Sequence, residues 1–170
     1  MLEELIDNVQ RISDRLQNGG LIYDAFIGHE DHFNDVMCTL QRDQLMGGLR
    51  SDGEQITPSM TRDPFFSGKM KAALKYADRK ARLSPDPRRG YDTPNLFING
   101  YFHEGFRVQF RPDEVYMHND RRVFTTKYGR TSEDLYEKYG EDTFGLTSEN
   151  WDKVLPEVRD ILIFNIREQL

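Results

Sequence analysis

The densest group of potential metal ligands in the sequence is His29-Glu30-Asp31-His32. Two imidazoles three residues apart lie on the same face of a helix, and the carboxylate of Asp31 offers a third ligand. A metal-dependent hydrolase that uses His29, Asp31 and His32 is therefore one hypothesis. However, the group does not have the spacing of a known zinc site, and four residues specify a site weakly. The sequence favours a polar helix start here.

Other catalytic patterns are missing from the sequence. It contains no GxSxG nucleophile motif, no Walker-type phosphate loop, no dinucleotide fingerprint and no HExxH zinc motif. His103 lies in an aromatic turn, where a hydrogen-bonded structural histidine is expected. Cys38, the single cysteine, falls in an apolar helical pattern and is expected in the core. The sequence thus predicts a protein that is not an enzyme and needs no cofactor.

Length and composition predict one domain that covers residues 1–170. Only 37% of the residues are hydrophobic, 31% are charged and the mean hydropathy is -0.74. This bias favours a component of an assembly over a compact enzyme, because solvated or partner-ordered loops are expected. The N-terminus is acidic, and no apolar run is long enough to cross a bilayer. We therefore expect neither a signal peptide nor a membrane-embedded protein.

The charge is distributed unevenly along the chain. The net charge is -6, yet the segment from Lys69 to Arg89 has eight basic residues against Asp78 and Asp86. A basic segment on an acidic body can contact phosphate groups, an acidic protein surface or solvent alone. The residues predicted to contact DNA or a protein partner are Lys75, Arg79, Lys80, Arg82, Arg88 and Arg89.

The rest of the chain is organised around the stretch from Pro94 to Phe110, which is its most apolar and aromatic run. Apolar residues at Phe106, Val108 and Phe110 alternate with polar ones, which predicts a half-buried strand. Residues 101–104 can form one helical turn. Gly105 is predicted to leave that turn with a positive φ.

Helical periodicity dominates the remainder of the chain. The predicted helices run from Leu2 to Leu16, from about His29 to Leu45, from about Lys69 to Leu83, and from Thr147 or Ser148 to Leu170, with a shorter piece after Ser132. Residues 21–27 fit either a strand or a helix. Pro156 predicts a kink in the last helix or its division into two pieces. A helical N-terminal part is thus expected over residues 1–84 and a C-terminal helix over 148–170.

The predicted fold is α+β. Short apolar runs at 106–110, 115–117 and 123–126 are separated by turn-forming residues, which is typical of an antiparallel meander. We expect this aromatic turn and meander over residues 94–127. The small antiparallel sheet of three to four strands would pack against the amphipathic N-terminal and C-terminal helices.

Two apolar groups exceed what a single buried stripe needs. The last helix has four consecutive apolar residues at 161–164, so it either lies centrally or meets another protein. An aromatic pair also occurs in a loop. The candidate subunit-interface residues are Phe65, Phe66, Ile161, Ile163 and Phe164.

Two segments carry a resemblance to a known family. The first is PNLFINGYFHEGFRVQF, which resembles a leucine-rich approach, a Thr-Gly pair, a short helical turn and the first strand of a meander. The second is Tyr139-Gly140 followed by FGLTSENWDKVLPEVRDILIFNIREQL. Together with the order of elements, they resemble the tail-completion, neck and head-tail joining proteins of long-tailed bacteriophages. In this chain Asn99-Gly100 replaces the Thr-Gly pair, and no Arg-Pro pair precedes Phe144.

The resemblance implies a structural virion protein without catalytic activity, which forms a homo-oligomeric ring on the axis of the DNA exit channel. Its expected partners are copies of itself, portal, adaptor or tail proteins, and DNA contacted without sequence specificity. It would be assembled into the virion in the host cytoplasm. The alternatives are a small phage-encoded adaptor that binds a host factor through its basic helix, and the metal-dependent hydrolase described above.

Overall fold

The computed structural model describes residues 2–97, 100–120 and 132–169. In these ranges the chain forms, in order, α1 (Leu2–Gln17), α2 (Gly20–Ile27), α3 (Glu30–Met46), α4 (Met70–Leu83), α5 (Tyr101–Glu104), β1 (Phe106–Phe110), β2 (Val115–Asn119), α6 (Ser132–Tyr139) and α7 (Ser148–Arg167). Two short 3-10 turns lie at Pro64–Phe66 and Glu141–Thr143.

The long helices are confirmed close to their predicted bounds, and the segment left open at residues 21–27 is helical. Gly19 has a φ of 76°, a left-handed conformation that is favourable for glycine. It ends α1 and lets the chain begin α2 at the next residue. Three helices therefore follow one another with very short connections, and α2 packs against α1, α3 and α7.

The aromatic stretch from Pro94 to Phe110 contributes Leu96, Phe102, Phe106, Val108 and Phe110 to the core. Phe106, Val108 and Phe110 of β1 are buried, whereas Gln109 is exposed, which confirms the alternation. The Phe110 ring stacks on Phe26 of α2 with centroids 4.8 Å apart. The helix α3 packs against β1 and also against α7.

The predicted sheet of three to four strands is wrong. The described residues are mostly helical and contain one sheet, in which β1 and β2 pair antiparallel with Phe106 opposite Asn119 and Phe110 opposite Val115. On the outer edge of β1, Asn34 Oδ1 of α3 accepts a hydrogen bond from the Val108 N–H at 2.8 Å. The helix thereby covers an edge on which a further strand would pair. The strand predicted at 123–126 lies outside the described residues.

The left-handed glycine of the aromatic turn is Gly100, and the prediction for Gly105 is wrong. Gly100 precedes α5 with a φ of 86°, whereas Gly105 has a φ of -80°. The sharp change of direction therefore occurs before the helical turn. After it, the chain continues from α5 into β1 without a left-handed residue.

The last helix is continuous from Ser148 to Arg167 and contains Pro156. Thr147 is its N-cap, because its side-chain oxygen accepts a hydrogen bond from the Asn150 N–H at 3.3 Å. Pro156 is exposed and removes a single N–H from the helix. The predicted division into two pieces does not occur.

Candidate interaction surfaces

The two ends of α7 differ in how far they are enclosed. Val154 and Val158 in its first half are buried, and Ile161 is partly buried against the core. Farther along, Ile163 is 41% exposed and Phe164 is 62% exposed. The helix is thus neither wholly central nor wholly peripheral, and two of the three candidate interface residues on it face solvent.

The other predicted interface pair, Phe65 and Phe66, lies in the 3-10 turn Pro64–Phe66. Asp63 accepts a hydrogen bond from the Phe65 N–H at 2.9 Å and starts this turn. Phe66 is partly buried, and its ring lies 5.5 Å from that of Tyr76 in α4. Phe65 is 62% exposed, so it is the member of the pair that a partner can cover.

The helix α1 is amphipathic, as predicted, and much of its apolar face is exposed. Within this face Ile12 is buried, whereas the residues along its centre are not. The exposed fractions are 45% for Leu5, 58% for Ile6, 51% for Val9 and 47% for Leu16. The sequence signal for this surface was present as a strong helical stripe, but periodicity alone does not say which body covers the stripe.

The six basic residues predicted to contact DNA or a partner do not form one surface. Lys75, Arg79 and Arg82 are exposed on α4. None of these three has an ion-pair partner in the parts of the chain that the structure describes. They are the members of the predicted group whose charge is available to another molecule.

Arg88 and Arg89 hold the chain after α4 in place. Arg88 forms ion pairs with Asp43 at 2.7 Å and with Asp86 at 2.6 Å, and its hydrogen bond holds the pKa of the Asp86 carboxyl below its usual value. Arg89 donates hydrogen bonds to the carbonyl oxygens of Thr93 at 3.0 Å and Ser84 at 3.3 Å. Both side chains therefore stabilise the chain after α4, and no local sequence pattern indicates these partners.

Lys80 is buried, with 6% of its surface exposed, so its predicted position on the outer face of α4 is wrong. Burial, together with the positive charge of the neighbouring Arg89, lowers its pKa to about 8. The reason is geometric: Lys80 follows Ala73 and Ala77 on the inner side of the helix. Lys80 is therefore not available for the predicted contact with DNA or with a protein partner.

Lys80 belongs to a buried polar group that sequence reasoning found only in part. His103 Nε2 lies 3.0 Å from the carbonyl oxygen of Asn95, and Asn95 Nδ2 donates to Ser84 Oγ at 2.8 Å. Burial lowers the pKa of His103 to about 4, so the ring is neutral near pH 7 and donates through Nε2. These contacts tie the end of α4 to the aromatic turn. His103 is the hydrogen-bonded structural histidine that the sequence predicted.

In the part of the chain that the structure describes, no third ligand completes the predicted metal site with His29 and His32. His29 and His32 are both exposed, and His32 Nε2 lies 3.0 Å from a carboxylate oxygen of Glu157 on α7. Within residues 2–97, 100–120 and 132–169, no group of three or more His, Cys, Asp or Glu side chains is arranged to hold a metal ion. The contact between His32 and Glu157 therefore joins α3 to α7.

Two shallow depressions of about 550 Å³ each lie beside the turn Pro64–Phe66. Neither is lined by a histidine or a cysteine. Their common charged residue, Asp63, forms an ion pair with Lys138 of α6. The charged side chains that line the first depression are Asp63, Asp134, Glu137 and Lys138.

Comparison of the chain with protein families, with curated proteins and with solved structures found no match. Among the described residues, no helix is both long and apolar enough to cross a membrane. The geometry on which a function can be argued thus consists of exposed apolar side chains on α1, α7 and the Pro64–Phe66 turn, and of the exposed basic side chains on α4.

Proposed function

We propose that this chain is a structural component of a tailed-phage particle and forms a ring with copies of itself at the head-tail joint or the tail end. The observation that carries the proposal is exposed apolar surface on two different groups of elements. One group is α1, α2 and α7, which pack against one another, and the other is α4 with the Pro64–Phe66 turn.

A ring needs two different surfaces on each subunit. In a cyclic assembly one patch contacts a different patch on the next copy, and closure of the rotation gives a ring. Phe164 and Phe65 are each 62% exposed, and covering them with a neighbouring copy would remove apolar surface from water. The resemblance of the stretch from Pro94 to Phe110 to neck and tail-completion proteins supports the phage assignment, and portal, adaptor or tail proteins are then the neighbours.

The proposal is tested by the mass of the protein in solution at increasing concentration and by imaging it in its native particle. We expect symmetric oligomers around a channel. Phe164→Glu places a charge on the exposed part of α7 and is expected to weaken assembly at least tenfold, because the contact would bury that charge. Arg159→Glu, on another side of α7, is the matched control and should assemble normally. A protein that stays a monomer or a one-to-one complex in the particle would contradict the proposal.

A further inference from the structure

Four exposed basic side chains lie along one side of α4, and they are Lys71, Lys75, Arg79 and Arg82. Each residue advances about 100° around the axis of a helix, so these four fall within an arc of about 80°. The same steps place no other residue of α4 in that arc. We call these four side chains the basic row. It extends along about 16 Å of the helix.

The basic row has no counter-charge in the described parts of the chain. No carboxylate in residues 2–97, 100–120 and 132–169 forms an ion pair with any of the four side chains. Asp78 is the one acidic residue of α4, and it borders the row. Its carboxylate accepts a hydrogen bond from the Tyr91 hydroxyl at 2.6 Å. One carboxylate beside four cations leaves an excess of positive charge.

The composition of the basic row differs from that of a protein interface. Protein interfaces have an apolar core, and lysine is depleted in them. The row contains two lysines and two arginines and no apolar residue. The exposed apolar residues Met70 and Leu74 lie on the adjoining arc of the helix, and Asp78 separates them from the row. Lysine and arginine without apolar neighbours are typical of contacts with phosphate groups.

The rest of the chain would repel a polyanion. The segment from Lys69 to Arg89 has a formal charge of +6, and the remainder of the chain has -12. Within that segment Lys80 is buried, and Arg88 is paired with Asp43 and Asp86. The positive charge that remains accessible is concentrated in the basic row. An acidic body with one basic row orients a polyanion on that row.

We infer that the basic row binds the phosphate backbone of duplex DNA without sequence preference. The choice of DNA rests on the proposed function, because DNA passes through the head-tail joint of a phage. About 16 Å of duplex carries about ten phosphates on its two strands, which exceeds the number of cations in the row. Met70 and Leu74 remain available to a neighbouring copy. One helix thereby serves both the channel and the subunit contact.

The test is the fluorescence anisotropy of a labelled DNA duplex of mixed sequence, titrated with the full chain. We expect weak binding at about 50 mM salt that decreases steeply as salt is added. Four phosphate contacts predict a slope of log association constant against log salt concentration of about -3 to -4. The association constant should therefore fall on the order of 100-fold between about 50 and 200 mM salt.

Two double variants with the same change in net charge locate the binding surface. Lys75→Gln with Arg79→Gln, in the middle of the row, should weaken DNA binding at least tenfold at the lowest salt concentration. It should also reduce the steepness of the salt dependence by about 2. Lys153→Gln with Arg159→Gln, on the exposed side of α7, is the matched control and should change the affinity by less than about twofold. Circular dichroism and urea midpoints verify that both variants fold.

Other outcomes would overturn the inference in distinguishable ways. Equal losses in the two double variants would show that binding follows net charge and not the basic row. An α4 variant that assembles poorly but binds DNA normally would assign the row to a protein contact.

Rings in the particle together with no DNA binding by the original chain would make this inference wrong, while the proposed function stands. A chain that binds DNA through the row but forms no ring in the particle would contradict the proposed function alone.

Discussion

The helices α1 and α3 have similar lengths, and both carry helically spaced apolar residues. The apolar side chains of α3 are buried, whereas most of those on α1 are exposed. In α3, Phe33 and Leu45 have no exposed surface. In α1, Leu5 and Val9 are 45% and 51% exposed. The difference lies in their neighbours: α3 packs against α2, β1 and α7, whereas the main neighbour of α1 is α2.

The comparison shows what an apolar stripe does and does not establish. An apolar stripe indicates that one face of a helix is unfavourable in water, but it does not identify the protein segment that covers this face. In α3 the covering segments belong to the same chain. In α1 the face remains available, and we propose that a second copy covers it.

The strongest test of this comparison replaces one leucine in each helix by alanine. Leu45→Ala should lower the free energy of unfolding by about 2–5 kcal/mol, because it removes buried methyl groups and leaves a cavity. Leu5→Ala should change it by no more than about 0.5 kcal/mol, because a half-exposed side chain loses little packing. Urea unfolding of dilute protein measures both values. Equal losses would show that α1 is covered within its own chain.

A second test contrasts two lysines of α4, one buried and one exposed. Because the pKa of Lys80 is about 8 in the folded chain and ordinarily 10.5, the unfolded chain holds this proton to higher pH. Stability attributable to Lys80 should therefore rise between these two pH values, by on the order of 2 kcal/mol. Lys80→Met should remove the rise, and Lys75→Met should retain it.

The readout for this test is the difference between each variant and the original chain in urea midpoints across that pH range. Burial raises the pKa of Cys38, and a hydrogen bond to Asp78 raises that of Tyr91, so these groups oppose the trend in every variant alike. A Lys80→Met chain with an unchanged pH profile would mean that Lys80 is not buried in solution.

The smallest expected effect concerns the N-terminus of α7, the helix whose first half contributes Val154 and Val158 to the core and whose end exposes Phe164. Thr147→Ala removes the side-chain acceptor for the Asn150 N–H and should lower the free energy of unfolding by about 1 kcal/mol. Ser148→Ala, at the next and exposed position, should change it by less than about 0.5 kcal/mol. Thermal or urea unfolding distinguishes the two, and the reverse order would place the cap at Ser148.

Much of the local structure could be predicted because it depends on short-range physics. Glycines and prolines ended helices near the expected residues, and the period of two at Phe106, Val108 and Phe110 identified the buried face of β1. The described residues contain two strands where three to four were predicted, and the sequence does not reveal that Asn34 of a distant helix accepts the hydrogen bond of the Val108 N–H on the outer edge of β1. A hydrogen bond between residues so far apart in the chain has no local signal.

The same distinction between local pattern and tertiary contact applies to the candidate interaction surfaces. Sequence composition identified the basic segment and the excess apolar residues, and Phe65, Phe164, Arg79 and Arg82 are indeed exposed. It could not separate these from Lys80 and Arg88, which have the same chemistry but face Arg89 and the carboxylates of Asp43 and Asp86. Which charge is available to a partner is a property of the folded neighbourhood.

The sequence by itself therefore determined where helices begin and end, which residues form apolar stripes, and where positive charge accumulates, because each depends on residues within one or two turns. The tertiary structure decided which stripe is enclosed and which lysine is buried. Those outcomes depend on contacts between segments that are distant in the chain. Whether a residue is buried depends on both segments, so the sequence of one segment alone does not determine it.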